Sequence, residues 1–95
     1  MEISKILTLS TAHITESVSE ALDNDPNTNE LGLTVYKKAD YGWFIYIPED
    51  YDKTAKEGLP ECLKACIDLA LKNDCNILCL DCDGEEEPTL PTYEW

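Results

Sequence analysis

Ninety-five residues carry 20 aspartates and glutamates against seven lysines and no arginine, a formal net charge of -13 beside a hydrophobic content of 43%. So negative a surface repels nucleic-acid phosphates, nucleotides and anionic lipid headgroups and attracts basic protein surfaces; without arginine the chain also lacks the planar fork that usually holds phosphate. Direct nucleic-acid binding and membrane association are therefore not expected, and residues 1–95 are expected to form a single domain around one core.

The opening residues, Met1 to Lys5, lack the basic start and long apolar run of a signal peptide. No segment approaches the ~18 apolar residues of a membrane span, so a cytoplasmic location is expected. Five cysteines, at positions 62, 66, 75, 79 and 82, leave one over in any full disulfide scheme. Reduced thiols fit a chain able to fold on its core alone.

Residues 3–9 are short, β-branched and apolar and read as a first strand, which stops at Ser10-Thr11, a pair able to cap a helix. Ile14, Val18, Ala21 and Leu22 recur at helical spacing until Asp23-Asn24-Asp25-Pro26 ends the pattern. After a polar loop from Asn27 to Gly32, residues 33–36 and 43–47 read as a hairpin turning at Ala39-Asp40. The second of these strands is apolar or aromatic on both faces and belongs inside the sheet. An acidic loop, Glu49 to Gly58, precedes Pro60, which suits the first turn of a helix carrying Leu63, Cys66, Ile67, Ala70 and Leu71 on one stripe and stopping near Asn73. Residues 76–81 form the last apolar run, followed by Asp83-Gly84 and a proline-punctuated tail with Leu90, Tyr93 and Trp95.

The order β-α-β-β-α-β predicts an α+β, ferredoxin-like (βαββαβ) domain, a four-stranded antiparallel sheet with two helices on one face and strands one and three central. Tyr93 and Trp95 share a side if extended. A packed C-terminal tail is expected, folded back on the sheet, with a fifth short strand as one form of it.

Thr8 to Ile14, Tyr41 to Pro48, Leu80 to Gly84 and the closing Leu90 to Trp95 resemble a family of small, acidic, uncharacterised proteins of gut bacteria, carried on conjugative elements, plasmids and prophages. The family is defined only as a domain of unknown function. The resemblance spans nearly the whole chain and implies a role in element maintenance, transfer or defence evasion; it implies no catalytic residue.

Asp81, Asp83, Glu85, Glu86 and Glu87 put five carboxylates in seven residues, and Glu49, Asp50 and Asp52 lie in the other long loop. In the expected topology strands three and four run parallel, so both loops leave the sheet at one end and gather these eight carboxylates on one edge. Spaced charges there could imitate DNA phosphates in the basic groove of a nuclease or transcription factor. The plain alternative is a solvated face that keeps a small protein soluble.

Other constellations read more simply as structure. Asp81-Cys82-Asp83-Gly84-Glu85 lacks most of the ligand spacing of an EF-hand and suits a turn in which Gly84 takes a positive φ. Cys62-x3-Cys66 and Cys75-x3-Cys79-x2-Cys82 lack zinc knuckles; the cysteines are expected as small core residues, with Cys62 and Cys75 the more exposed. His13 follows Ser10 and Thr11, but antiparallel first and last strands would put Asp81 and Asp83 at the opposite end from it, so no hydrolytic triad is expected. Capping by Ser10 or Thr11, with His13 partly exposed, is expected instead. Tyr41, Trp43, Phe44 and Tyr46 resemble the stacking aromatics of sheet-based RNA binders without their basic half. Either the tail covers the open face or that face is an exposed apolar patch used for protein contact or dimerisation; Phe44 and Tyr46 on one face, with Trp43 and Ile45 on the other, favour coverage of both.

The expected function is a non-enzymatic acidic interaction module of a mobile element. It has no cofactor, metal or catalytic residue, is a monomer or homodimer, and binds a basic protein surface through Glu49, Asp50, Asp52, Asp81, Asp83, Glu85, Glu86 and Glu87. Its sharper form is a DNA mimic directed at a nucleic-acid-binding defence or regulatory protein. The alternative is a small ligand-binding or enzymatic domain using the sheet face and the His13 end.

Overall fold

The structure is a computed structural model that describes residues 3–23, 34–48 and 59–94. Strands β1 (Ile6–Ser10), β2 (Thr34–Lys38), β3 (Gly42–Tyr46) and β4 (Ile77–Asp81) form one sheet in the order β1-β4-β3-β2. A 3-10 turn (Thr11–His13) and helix α1 (Glu16–Asp23) follow β1, and α2 (Glu61–Lys72) precedes β4. The β-α-β-β-α-β order is as expected. Two features of the sheet are not: β1 pairs parallel with β4, and β3 pairs antiparallel with β4. The sheet is therefore mixed, β3 and β4 are the central pair, and β1 is an edge.

The residues account for this arrangement. All five positions of β4 are buried, and its Ile77, Leu78, Cys79 and Leu80 are apolar toward both faces. Such a strand belongs between two others. The first strand interleaves Thr8 and Ser10 with its leucines and is exposed at Ile6 and Thr8, which suits an edge.

Leu9, Leu80 and Trp43 share one row across β1, β4 and β3, and Leu78, Ile45 and Val35 share the next across β4, β3 and β2. These residues meet Ile14, Val18 and Leu22 from the first helical segment and Leu63, Cys66 and Ile67 from α2 in a single core. Both helical segments thus contribute to the core on this one face of the sheet. Pro60 precedes the first residue of α2 and Asn73 caps its end, as the spacing predicts. The first helix starts later than expected: Ser10 Oγ accepts from the Ala12 N–H at 3.1 Å to cap the 3-10 turn, and Thr15 Oγ1 accepts from the Val18 N–H at 3.4 Å to begin α1.

Four of the five cysteines, Cys62, Cys66, Cys75 and Cys79, are buried, and Cys82 is exposed. Cys62 and Cys75 are therefore core residues, not the exposed pair, because the apolar stripe of α2 is wide enough to take in Cys62 and the turn after α2 folds Cys75 inward. Burial pushes the Cys66 thiol up to about 12 and shifts Cys79 upward as well. Gly84 does not adopt a positive φ. Its lack of a side chain serves a close approach instead, since a Cβ there would lie 2.7 Å from the Leu9 carbonyl oxygen.

The opposite face of the sheet carries Ile6, Thr8, Phe44, Tyr46 and Tyr36, with the Tyr36 and Tyr46 rings edge-on at 5.4 Å. Tyr36, Tyr46 and Ile6 are exposed, so among the described residues this face is not covered as expected. The tail packs elsewhere. Leu90 and Tyr93 lie against the core, and the Tyr93 N–H donates to the Ala12 carbonyl at 2.8 Å, beside the 3-10 turn and without a fifth strand among the described residues. The expectation for Trp95 lies outside the described residues.

Candidate interaction site

Parallel pairing of β1 and β4 aligns Ser10 with Asp81 and brings the two strand ends together. His13 and the acidic run after β4 therefore share one end of the sheet, contrary to the antiparallel expectation. The Ser10 N–H donates to the Glu85 carbonyl at 3.0 Å, and Gly84 crosses over Leu9, so the acidic turn is laid across the end of β1.

His13 is 1% exposed, not partly open to solvent. Its Nδ1 donates to the Pro91 carbonyl at 2.9 Å, and its Nε2 accepts the Glu87 N–H at 2.7 Å. A carbonyl can only accept and an amide N–H can only donate, so these partners assign the tautomer. Both nitrogens tie down the tail.

The predicted carboxylates divide by their partners. Asp81 is 9% exposed; its Oδ2 accepts from Lys38 Nζ at 2.5 Å and its Oδ1 from the Asp83 N–H at 2.8 Å. Lys38 reaches it across Gly42, which stands between them in the strand register and has no side chain to block the path. Glu87 Oε1 accepts from Thr89 Oγ1 at 3.0 Å. Asp83, Glu85 and Glu86 are exposed. Glu49, Asp50 and Asp52 lie outside the described residues. The strand before them ends beside the start of β4, where the Ile47 N–H meets the Asn76 carbonyl, because β3 and β4 are antiparallel. β3 and β4 thus finish at opposite ends of the sheet, contrary to their expected parallel run.

Asp81, Cys82 and Asp83 offer ligand atoms within 4.8 Å of one another. Lys38 and the Asp83 N–H already engage both oxygens of Asp81, so the trio is organised as an ion-paired turn. The Lys38 hydrogen bond, aided by the Asp83 N–H, holds the Asp81 carboxyl below its usual value, and the same bond raises Lys38. The Asp81 contribution to stability is complete above an ordinary carboxylate pKa of about 3.9 and is lost as pH falls through the lowered folded value. That of Lys38 is complete below an ordinary lysine pKa of about 10.4 and is lost as pH rises through the raised one. Urea unfolding at a series of pH values should show the gap between wild type and Asp81→Asn closing as pH falls from about 5 toward 2. A gap constant with pH would show that the ionised carboxylate is not the stabilising form.

The same end holds a cleft that sequence reasoning missed. It encloses about 270 Å³ and is lined by Thr11, Asp23, Lys37, Asp40, Tyr41 and Trp43 among others. These residues come from the 3-10 turn, the end of α1 and the β2–β3 hairpin, so no local spacing announces them. The available signal is Tyr41-Gly42-Trp43, whose aromatics fit a strand equally well. In the cleft, Trp43 Nε1 donates to Asp23 Oδ1 at 3.0 Å, and Lys37 Nζ lies 3.4 Å from the same oxygen.

A family model described as "Family of unknown function (DUF5983) C-terminal domain" matches residues 6–95. No curated protein and no solved structure matches the chain. Among the described residues no helix is long and apolar enough to cross a membrane.

Proposed function

The chain belongs to the family of unknown function DUF5983, and within it we propose a non-enzymatic, acidic protein-interaction module that acts in the cytoplasm and binds a basic protein surface. Asp83, Glu85 and Glu86 are the centre of its contact, with Glu87 beside them. Asp81 acts behind this surface by holding the turn. The observation that supports the reading is the exposure of Asp83, Glu85 and Glu86 together on a turn anchored at both ends, by Asp81 to Lys38 and by His13 to Glu87. Carboxylates on a fixed turn lose little freedom on binding and steer a basic partner toward one place. In its sharper form the module is a DNA mimic carried by a mobile element of gut bacteria and directed at a nucleic-acid-binding defence or regulatory protein.

The test is capture of partners from host lysate by the tagged protein, with washes at low and high salt and with duplex DNA as competitor. Capture of a basic nucleic-acid-binding protein is expected, displaced by both salt and DNA. Reversal of Asp83, Glu85 and Glu86 to lysine should weaken it on the order of a hundredfold. A captured partner indifferent to salt and to the triple reversal would end the proposal.

A further inference from the structure

The cleft between the end of α1 and the β2–β3 hairpin is not explained by the acidic turn. We propose that it receives an arginine side chain of the basic protein partner, an assignment that rests on the interaction module above and names the group the module grips. Its lining offers two carboxylates from separate elements, Asp23 and Asp40, together with the aromatic rings of Tyr41 and Trp43 and the hydroxyl of Thr11. Carboxylate plus aromatic wall is the combination a guanidinium uses best, because its planar fork donates in the plane while its face stacks on a ring.

Asp23 is already set for this role. The indole N–H of Trp43, a residue 7% exposed, fixes Oδ1 at 3.0 Å. Lys37 places an ammonium 3.4 Å from the same oxygen, so the position accepts a cation. Both partners of that pair are about half exposed, at 56% and 49%. An exposed pair of this kind is weak and yields readily to a better-matched cation. A cavity of about 270 Å³ holds a guanidinium with part of its stem, whereas a compact, strongly hydrated ammonium would fill it poorly. These 95 residues contain no arginine, so the same residues of a second copy do not supply the occupant. Asp83, Glu85 and Glu86 at the same end of the sheet add to the attraction.

The experiment is a titration of the isotope-labelled full chain with Nα-acetyl-arginine amide, followed through the Trp43 indole N–H resonance. Nα-acetyl-citrulline amide serves as the uncharged probe of the same shape and Nα-acetyl-lysine amide as the ammonium probe. A saturable shift with the arginine probe alone is expected; Asp23→Asn should weaken it about tenfold, as loss of a charge-assisted hydrogen bond does. Lys37→Met, which removes the competing cation, should tighten it. An equal response to citrulline or lysine, shifts confined to the amides of residues 83–87, or weaker binding by Lys37→Met would each overturn the assignment. The triple reversal of Asp83, Glu85 and Glu86 separates the two proposals. If reversal abolishes partner capture but the arginine probe never enters the cleft, the module stands without its receptacle. If the probe binds as described while capture survives reversal, the cleft assignment stands and the acidic contact fails.

Discussion

Gly42→Ala should destabilise the domain severely and lower its melting temperature by well over ten degrees. A Cβ at this position would lie 1.7 Å from the Leu80 carbonyl oxygen and 2.7 Å from its carbonyl carbon. Both are backbone atoms of β4, the strand buried along its whole length, so neither can turn aside as a side-chain tip would. The alternatives are to part β3 from β4 or to break the pairing at Gly42↔Asp81, and either also disturbs the Lys38 to Asp81 bond that passes over Gly42. A loss of about 4 kcal/mol or more is expected, in the range that marks a specific steric fault. Domains of this size are stable by only about 5–15 kcal/mol in total. Thermal unfolding followed by circular dichroism measures it. Gly84→Ala, whose Cβ would meet the Leu9 carbonyl oxygen at 2.7 Å, should cost less, because the turn carrying it can shift where a central strand cannot. A Gly42→Ala protein melting within a few degrees of wild type would show that the sheet tolerates what the geometry forbids.

The second large effect is expected at His13. Replacement by phenylalanine keeps the ring volume in a site that is 1% exposed and removes both nitrogens at once. The Glu87 N–H and the Pro91 carbonyl then lose the partners they meet at 2.7 and 2.9 Å. Each polar group left unsatisfied near the interior costs about 1–3 kcal/mol, so a loss of about 3 kcal/mol is expected. For a domain of this length that lowers the melting temperature by roughly 4–8 °C per kcal/mol. Hydrogen exchange locates the effect: the amides of Glu87 and Tyr93 should lose protection well before those of β3 and β4. Unchanged protection at both would mean that Leu90 and Tyr93 hold the tail by packing alone.

Much of the fold was legible along the chain. The stripes Ile14, Val18, Leu22 and Leu63, Cys66, Ile67 identified both helical segments and the core they enter. Pro60 and Asn73 marked the ends of α2, and the two-sided apolar character of β3 identified an inside strand. The same reasoning applied to β4 would have placed it inside too, since Ile77 to Leu80 are apolar toward both faces. An antiparallel first and last strand conflicts with that pattern, and the mixed sheet instead sets the relative directions of β3 and β4 and brings His13 to the end that carries the acidic turn.

The candidate site was legible only as a run of acids. Residues 81–87 are close in sequence, so their meeting needed no tertiary information. Which of them is free did, because the partners of Asp81 and Glu87 are Lys38, 43 residues away, and a threonine turned back toward Glu87. The cleft was illegible for the same reason, since Thr11, Asp23, Lys37 and Trp43 stand on four different segments.

By itself, then, the sequence determined what periodicity and composition control: the order of elements, the apolar stripes of the two helical segments, the strong negative charge and the lack of arginine in these 95 residues. Hydrophobic spacing is local, and it acts through the free energy of removing each apolar face from water whatever lies opposite. Only the tertiary structure decided strand order and direction, the use of His13 as a fastening for the tail, the pairing of Asp81 with Lys38 and the cleft around Asp23. Those depend on which distant backbone groups and charges meet. Several pairings of the same strands bury similar apolar area, and the choice among them rests on close approaches such as Gly42 against Leu80 that leave no periodic trace in the chain.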